Sequence, residues 1–269
     1  MSETRADADF QSDLDLALRL ADAADAQSLP RFDAADLHVS LKADRSHVTD
    51  ADLATERAIR EILRAERPED GILGEEYGSS GDARRQWIID PIDGTANFLR
   101  GVPLWGTMIS LAVDGVARVG VVSMPALGRR WWAAPGLGAW ASTGAEPRAI
   151  RVSGVADLDD ASVSFQSIGQ WDDAGRTDQL LALSRRVWRD RGYGDVFAYM
   201  MLAEGRIDMV AEFDVKEYDI AAAFAIVTEA GGTATAFDGT PTLSARSALA
   251  TNGVLHDAFL GFFAAPSSL

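Results

Sequence analysis

The chain has 269 residues, 47% of them apolar and 25% charged, and its 25 basic against 41 acidic residues give a net charge of −16. That is an ordinary globular composition, long enough for one large domain or for two lobes sharing a core. The charge argues against nucleic acid or an anionic membrane as a partner, and the absence of cysteine excludes disulfides, thiolate zinc sites and cysteine nucleophiles. Three histidines, His38, His47 and His256, are too few and too scattered for a histidine-rich metal centre. No run approaches 18 consecutive apolar residues. Residues 1–10 lack a basic stretch followed by an apolar one. The expectation is a cytoplasmic protein without a membrane span.

Residues 13–27 place Leu14, Ala17, Leu18, Ala21 and Ala24 at helical spacing and predict an amphipathic helix. Residues 37–41 predict a short strand, and polar residues 42–47 a mobile loop. Thr49 is a candidate N-cap for a second helix with Asp52 in its first turn. Leu53, Ile59, Ile62 and Leu63 form its buried face. Residues 71–74 predict a strand ending in Glu75 and Glu76. The apolar runs 106–113 and 116–123, separated by Asp114-Gly115, predict a hairpin. Residues 130–134 and 138–142 predict a second antiparallel pair. Beyond residue 151 short strands alternate with helices. Strands are expected at 161–165, 192–195, 207–212, 233–237 and 248–251. Helices are expected at 176–188, from about 196 to 204, at 218–230 and at the end. There is no internal repeat, long linker or low-complexity tract. The fold class expected is α/β, as one unit of two lobes. Residues 1–150 form an α+β lobe with an antiparallel sheet, and residues 151–269 an α/β lobe.

The stretch 87–98, W-I-I-D-P-I-D-G-T-A-N-F, is the most informative. Trp87-Ile88-Ile89 has the composition of a buried strand, which Pro91 is expected to stop. Asp90 and Asp93 then project from a strand end into a turn at Gly94-Thr95. Paired carboxylates suit hard cations, which take oxygen ligands. If Gly94-Thr95 open a helix, their N–H groups favour an anion. Taken alone, the spacing also fits a helix cap or a turn. A phosphatase using an aspartyl nucleophile in D-x-D-G-T is excluded, because Pro91 stands where that nucleophile would be. Two further carboxylate segments, Glu75-Glu76 and Tyr218-Asp219, lie at other element boundaries.

Together these pieces resemble the inositol monophosphatase family. The matching segments are Lys42 with V-T-D at 48–50, G-E-E at 74–76, the central motif at 87–98, R-G-Y-G at 191–194, and Y-D-I-A-A at 218–222 followed by E-A-G-G at 229–232. They occur in family order across nearly the whole chain. The resemblance implies a layered αβαβα sandwich and hydrolysis of phosphomonoesters with Mg²⁺, two to three ions per site, or Mn²⁺ as an alternative. It implies metal ligands at Glu75, Asp90, Asp93, Asp219 and the carbonyl of Ile92, with the Ile92 side chain in the core. It implies Thr95 with Asp50 orienting the attacking water, Gly94 and Thr95 amides on phosphate oxygens, Glu76 behind the ligands, and Lys42 near the phosphate. It also implies lithium sensitivity and a homodimer acting on a small-molecule ester. Such chemistry needs no phosphoenzyme, since metals lower the pKa of water.

The alcohol is expected to be read by Gly194, Asp195, Glu212 and residues near Trp105. Inositol phosphatases of the family usually carry a small residue where this chain has Asp195. The segment R-G-Y-G-D, with G-V-P-L-W at 101–105 and R-R-W-W-A-A at 129–134, resembles the histidinol-phosphate phosphatases of the superfamily, which act in histidine biosynthesis. Two carboxylates suit an alcohol bearing an ammonium and an imidazole. An inositol or broad sugar phosphatase is the alternative, and a non-catalytic metal-binding regulator a third. Asp195 could instead cap a helix and Glu212 could sit on a strand-end surface. Trp131 and Trp132 are expected in the core, and Trp105 either in the core or as a wall for a ring.

Overall fold

The structure, a computed structural model, describes residues 10–42 and 47–264. Residues 43–46, within the predicted mobile loop, lie outside the described part. The chain opens with α1 (Phe10–Ser28), the hairpin β1 (Val39–Leu41) and β2 (His47–Thr49), and α2 (Asp50–Glu66). There follow β3 (Gly71–Gly74), β4 (Gly78–Ser80), β5 (Arg85–Asp93), the short α3 (Thr95–Leu99), β6 (Gly106–Val113), β7 (Val116–Met124), β8 (Arg129–Ala134), β9 (Gly138–Ser142) and β10 (Arg148–Ala149). The second half comprises β11 (Ser162–Ser164), α4 (Ile168–Asp173), α5 (Thr177–Arg186), β12 (Arg189–Arg191), α6 (Asp195–Ala203), β13 (Met209–Phe213), α7 (Glu217–Glu229), β14 (Thr233–Thr235), β15 (Ser247–Thr251) and α8 (His256–Ala264).

Local chemistry accounts for the boundaries. Thr49 and Asp52 form a reciprocal capping box at the start of α2, which satisfies amides the helix itself leaves free. Asp114 and Gly115 both adopt positive φ, 51° and 77°, the two-residue geometry that matches strand twist between β6 and β7. The strands form an eight-stranded sheet, ordered β10-β9-β8-β7-β6-β5-β3-β4, and a five-stranded sheet, ordered β12-β11-β13-β15-β14. In the first sheet only β3 and β5 run parallel.

Five layers result. The helices α1 and α2 cover one face of the larger sheet through Leu14, Leu20, Ile59 and Leu63 on Trp87, Ile89 and Ile109. The helices α6 and α7 lie between the two sheets and share one core with both, joining Met108 and Val122 to Val210 and Ala250. Trp171, Leu183 and Phe259, from α4, α5 and α8, cover the outer face of the smaller sheet. This is the expected layered α/β sandwich. Residues 220–227 of α7 are all buried, as a helix enclosed on every side must be. No helix among the described residues is long and apolar enough to cross a membrane.

Two expectations need correction. The strand carrying Trp87 does not stop at Pro91. It continues to Asp93 across a register shift between Asp90 and Asp93. A proline can sit there because the irregular position asks no ladder N–H of it, and its carbonyl accepts from Thr107 Oγ1 at 2.8 Å. Residues 192–195 are not a strand. The strand β12 ends at Arg191, and Gly192 lies so close to its neighbours that a Cβ would come within 2.8 Å of the Gln166 carbonyl.

The alanine-rich α7 approaches β7 at Gly120, where a Cβ would meet the Ala222 carbonyl at 2.4 Å. Gly120→Ala therefore forces the central helix off the sheet and is expected to lower the unfolding free energy by about 1–3 kcal/mol, read by urea denaturation. An unchanged midpoint would mean that the layers can separate without loss.

Candidate active site

The parallel pairing of β3 and β5 sets Gly74 opposite Ile89, so Glu75 leaves one strand where Asp90 continues the other. The Glu75 amide donates to the Ile89 carbonyl at 3.1 Å. Beneath this turn the buried Glu56 accepts from the amides of Glu76, at 2.7 Å, and Tyr77, at 3.2 Å. It is paired with Arg60 at 2.6 Å. A Cβ on Gly74 would lie 1.9 Å from Glu56 Oε1, which explains the glycine of the G-E-E segment. From the other half, Val196 N donates to Asp93 Oδ2 at 2.8 Å. At the N-terminus of α7 Asp219 accepts from Lys216 N at 2.7 Å.

The result is a field of carboxylates with little to balance it. Burial, then Glu75, Asp93 and Asp219, push Asp90 well above the ordinary carboxylate range. Burial, then Asp195, Asp219 and Glu212, do the same for Asp93. Burial also pushes Asp219 up to about 7, Glu76 to about 7 and Glu212 to about 8. Lys42 is the cation at the rim, with Nζ 2.7 Å from both Glu75 Oε1 and Glu76 Oε1. Among the described residues no three His, Cys, Asp or Glu side chains converge as a ready metal cage. Lys42 holds Glu75 toward Glu76. The donors are nonetheless all oxygen, without sulfur or imidazole, and match what hard divalent cations take.

Thr95 lies at the start of α3, after Gly94 at φ 81°. A Cβ at Gly94 would approach the Leu104 carbonyl at 3.0 Å and Asp195 Oδ2 at 3.3 Å. The Thr95 hydroxyl donates to the Ile92 carbonyl at 3.0 Å and stands 3.4 Å from Asp52 Oδ1. This corrects the expectation that Asp50 partners Thr95. Asp50 points away and binds Arg31 at 2.8 Å. Two positions apart on a helix face different sides, and it is Asp52, fully buried and pushed up to about 6 by that burial, that faces Thr95. The Ile92 side chain packs with Ala51, Phe98 and Trp105.

Asp195, Glu212, Asp219 and Asp93 line one cavity of about 210 Å³, together with Tyr199 and Gln170. A larger cleft of about 730 Å³ beside Phe237 and Leu260 has no such group of carboxylates. Asp195 does not cap α6, since Gly194 occupies that position without a side chain to offer. Asp195 instead takes φ 48° and accepts from Asn97 Nδ2 at 2.7 Å. Glu212 is buried and accepts from the Tyr199 hydroxyl. Trp105 and Trp131 are both buried. Trp105 packs against Phe98 and Phe32 with ring centroids 4.8 and 5.4 Å away, and so belongs to the core rather than to a wall of this cavity. Sequence reading missed Asp52 as the partner of Thr95, and it missed Glu56, Asn97, Tyr199 and Gln170. Only Asn97, inside the central motif, carried a local signal.

The chain is similar to known proteins along nearly its whole length. The profile of the inositol monophosphatase family matches residues 10–264. A histidinol-phosphatase of Mycobacterium tuberculosis is 52% identical over 250 residues, covering 92% of this chain and 96% of that one. A histidinol-phosphatase of Streptomyces coelicolor is 49% identical, covering 94% and 97%. Among solved structures, an inositol monophosphatase from Anabaena superposes with a TM-score of 0.81 at 29% identity, over 96% of this chain and 98% of that one.

The geometry separates Asp50 from Asp52. Asp52→Asn keeps an acceptor for the Thr49 cap but removes the base facing Thr95, and phosphatase kcat is expected to fall about a hundredfold or more. Asp50→Asn is expected to stay within about threefold of the parent. The reverse ranking in initial-rate assays would restore Asp50 as the partner of Thr95.

Proposed function

The chain belongs to the inositol monophosphatase family and is a phosphatase, and from that premise we propose that it hydrolyses L-histidinol phosphate to L-histidinol in a Mg²⁺-dependent reaction. The observation that carries this reading is the pair of carboxylates, buried Glu212 and partly buried Asp195, lining the same cavity as Asp93 and Asp219. A neutral polyol gives such a pair nothing to neutralise, whereas an ammonium does. The histidinol-phosphatase relatives near 50% identity support the same substrate.

In this reading Glu75, Asp90, Asp93, Asp219 and the Ile92 carbonyl hold two to three Mg²⁺ ions. When bound, these supply a water of lowered pKa and offset the charge of phosphate and leaving alkoxide. The rest is done by the chain. The Thr95 hydroxyl, which rests on the Ile92 carbonyl, orients the attacking water; as its oxygen takes the water's proton, its own proton turns from that carbonyl to Asp52 Oδ1. Gly94 and Thr95, at the head of α3, offer amides that the helix leaves unpaired. Lys42 is in reach of the glutamates, at the mouth of the site. Asp195, steadied by Asn97, and Glu212, steadied by Tyr199, take the cationic end of the alcohol.

A panel of phosphate esters with free-phosphate readout tests the proposal. Histidinol phosphate is expected to be preferred over inositol 1-phosphate and glycerol phosphate, with turnover abolished by a chelator and restored by Mg²⁺. Preference for inositol 1-phosphate would reverse the substrate assignment. Asp93→Asn removes one ligand charge and is expected to lower activity at least about a hundredfold; near-normal turnover would refute its role. Asp195→Asn keeps shape and removes charge. A charge-assisted contact is worth about 1.5–3 kcal/mol, so the preference for histidinol phosphate over glycerol phosphate should shrink about ten- to a hundredfold. An unchanged preference would place recognition of the alcohol elsewhere.

A further inference from the structure

Gln170 lines the cavity that holds Asp195 and Glu212, and its side-chain Oε1 is buried without a hydrogen-bond partner among the described residues. A buried acceptor that no donor satisfies is unfavourable and unusual, and asks for a partner that arrives from outside the chain. The local fold fixes it there. Gln166 turns the chain with φ 57° and donates through Nε2 to the Asp195 carbonyl at 3.0 Å. The helix α4 follows, anchored by its next residue, Trp171. The Trp171 indole donates to the Phe165 carbonyl at 2.9 Å, and its ring packs edge-on to Phe213 and Phe237. With Trp171 locked in the core, the backbone at Gln170, about 100° around the helix, is held at the cavity wall. Gln166, Asp195 and Asp214 all hold left-handed backbone without being glycine, and such strain gathers where ligands are gripped.

The chemistry of the wall is one-sided. The residues lining the cavity include Asp93, Asp195, Glu212 and Asp219 but no arginine, lysine or histidine. The Tyr199 hydroxyl, a donor, is already given to Glu212. The alcohol that fits must bring its own N–H or O–H donors. Carboxylates match a cationic donor, while an uncharged amide carbonyl matches a neutral N–H.

We propose that Gln170 is a specificity-determining residue whose side-chain carbonyl accepts an N–H from a nitrogen heterocycle on the leaving alcohol, leaving Asp195 and Glu212 to its ammonium. This rests on the reading that the alcohol is histidinol. It goes further by dividing the two ends of that molecule between two parts of the wall. The ring end depends on α4, and the ammonium end on β13 and the start of α6.

The test compares histidinol phosphate with phosphoethanolamine, which has an ammonium but no ring, in the Mg²⁺-loaded full chain. Gln170→Leu keeps bulk and removes the acceptor. It is expected to reduce kcat/KM for histidinol phosphate about tenfold relative to phosphoethanolamine, mainly through KM. Gln170→Glu restores an acceptor and is expected to return the ratio to within about threefold of the parent. Asp195→Asn lowers both substrates together. If Gln170→Leu fails to fold, Gln170→Met, unbranched like glutamine, gives the same reading. A ratio unmoved by the folded variant, or not restored by Gln170→Glu, overturns the role of Gln170 while the substrate assignment stands. A parent enzyme with no preference for histidinol phosphate over inositol 1-phosphate overturns the substrate assignment, and this proposal with it.

Discussion

Asp90 is buried, and Asp93 and Asp219 partly so, at the seam between the larger sheet and α7, and among the described residues none of them is salt-bridged. Burial first, and then the charge of neighbouring carboxylates, raises the proton affinity of each. Burying an unpaired carboxylate costs several kcal/mol. Two things relieve such a cluster, protonation or a bound cation, and at neutral pH an oxygen-only donor set selects hard divalent ions. Most other features of the site follow from having to hold these charges together. The parallel pairing of β3 with β5 brings Glu75 beside Asp90. Glu56, neutralised by Arg60, braces the Glu75-Glu76 turn from below. The capping position of Asp219 on α7 carries a third segment into the seam. Lys42, one of only two lysines in the chain, meets the outermost glutamates.

In the proposed reading the fold separates bond breaking from recognition. Glu75, Asp90, Asp93 and Thr95 come from β3, β5 and the turn into α3, in the larger sheet, where rigid pairing fixes them. Asp195, Glu212 and Gln170 come from α6, β13 and α4, around the smaller sheet. The two groups meet through one amide, Val196 N on Asp93, and through Asn97, which ties the central motif to Asp195. Exchange of residues on the second group can change the alcohol while the first group is left intact. The same scaffold can therefore serve esters as different as inositol and histidinol phosphates.

The central motif was legible because several local signals coincide there: an apolar strand, a proline, two carboxylates and a glycine that must take positive φ. The hairpin at Asp114-Gly115 and the helix spans were legible for similar reasons of periodicity and turn chemistry. Asp52 was not separable from Asp50, because both sit in the first turn of one helix and only the packing of α2 on β5 decides which one faces Thr95. The six-residue α4 has a glycine and little periodicity, so neither it nor Gln170 stood out, and its position is set by a single tryptophan reaching the core. The continuation of β5 through Pro91 was hidden because a proline reads as a stop unless the strand is already irregular. In each miss a long-range contact overrode a local rule.

The claim on which everything rests is that the carboxylate seam is built for divalent cations. Urea unfolding in a chelator and in rising Mg²⁺ measures it without any substrate. Binding to the native state alone raises stability continuously with free Mg²⁺, by about 2.7 kcal/mol at a hundredfold excess over Kd, and Asp93→Asn should flatten that rise. Superimposable unfolding curves with and without Mg²⁺, up to the highest concentration at which the protein stays soluble, would contradict the account.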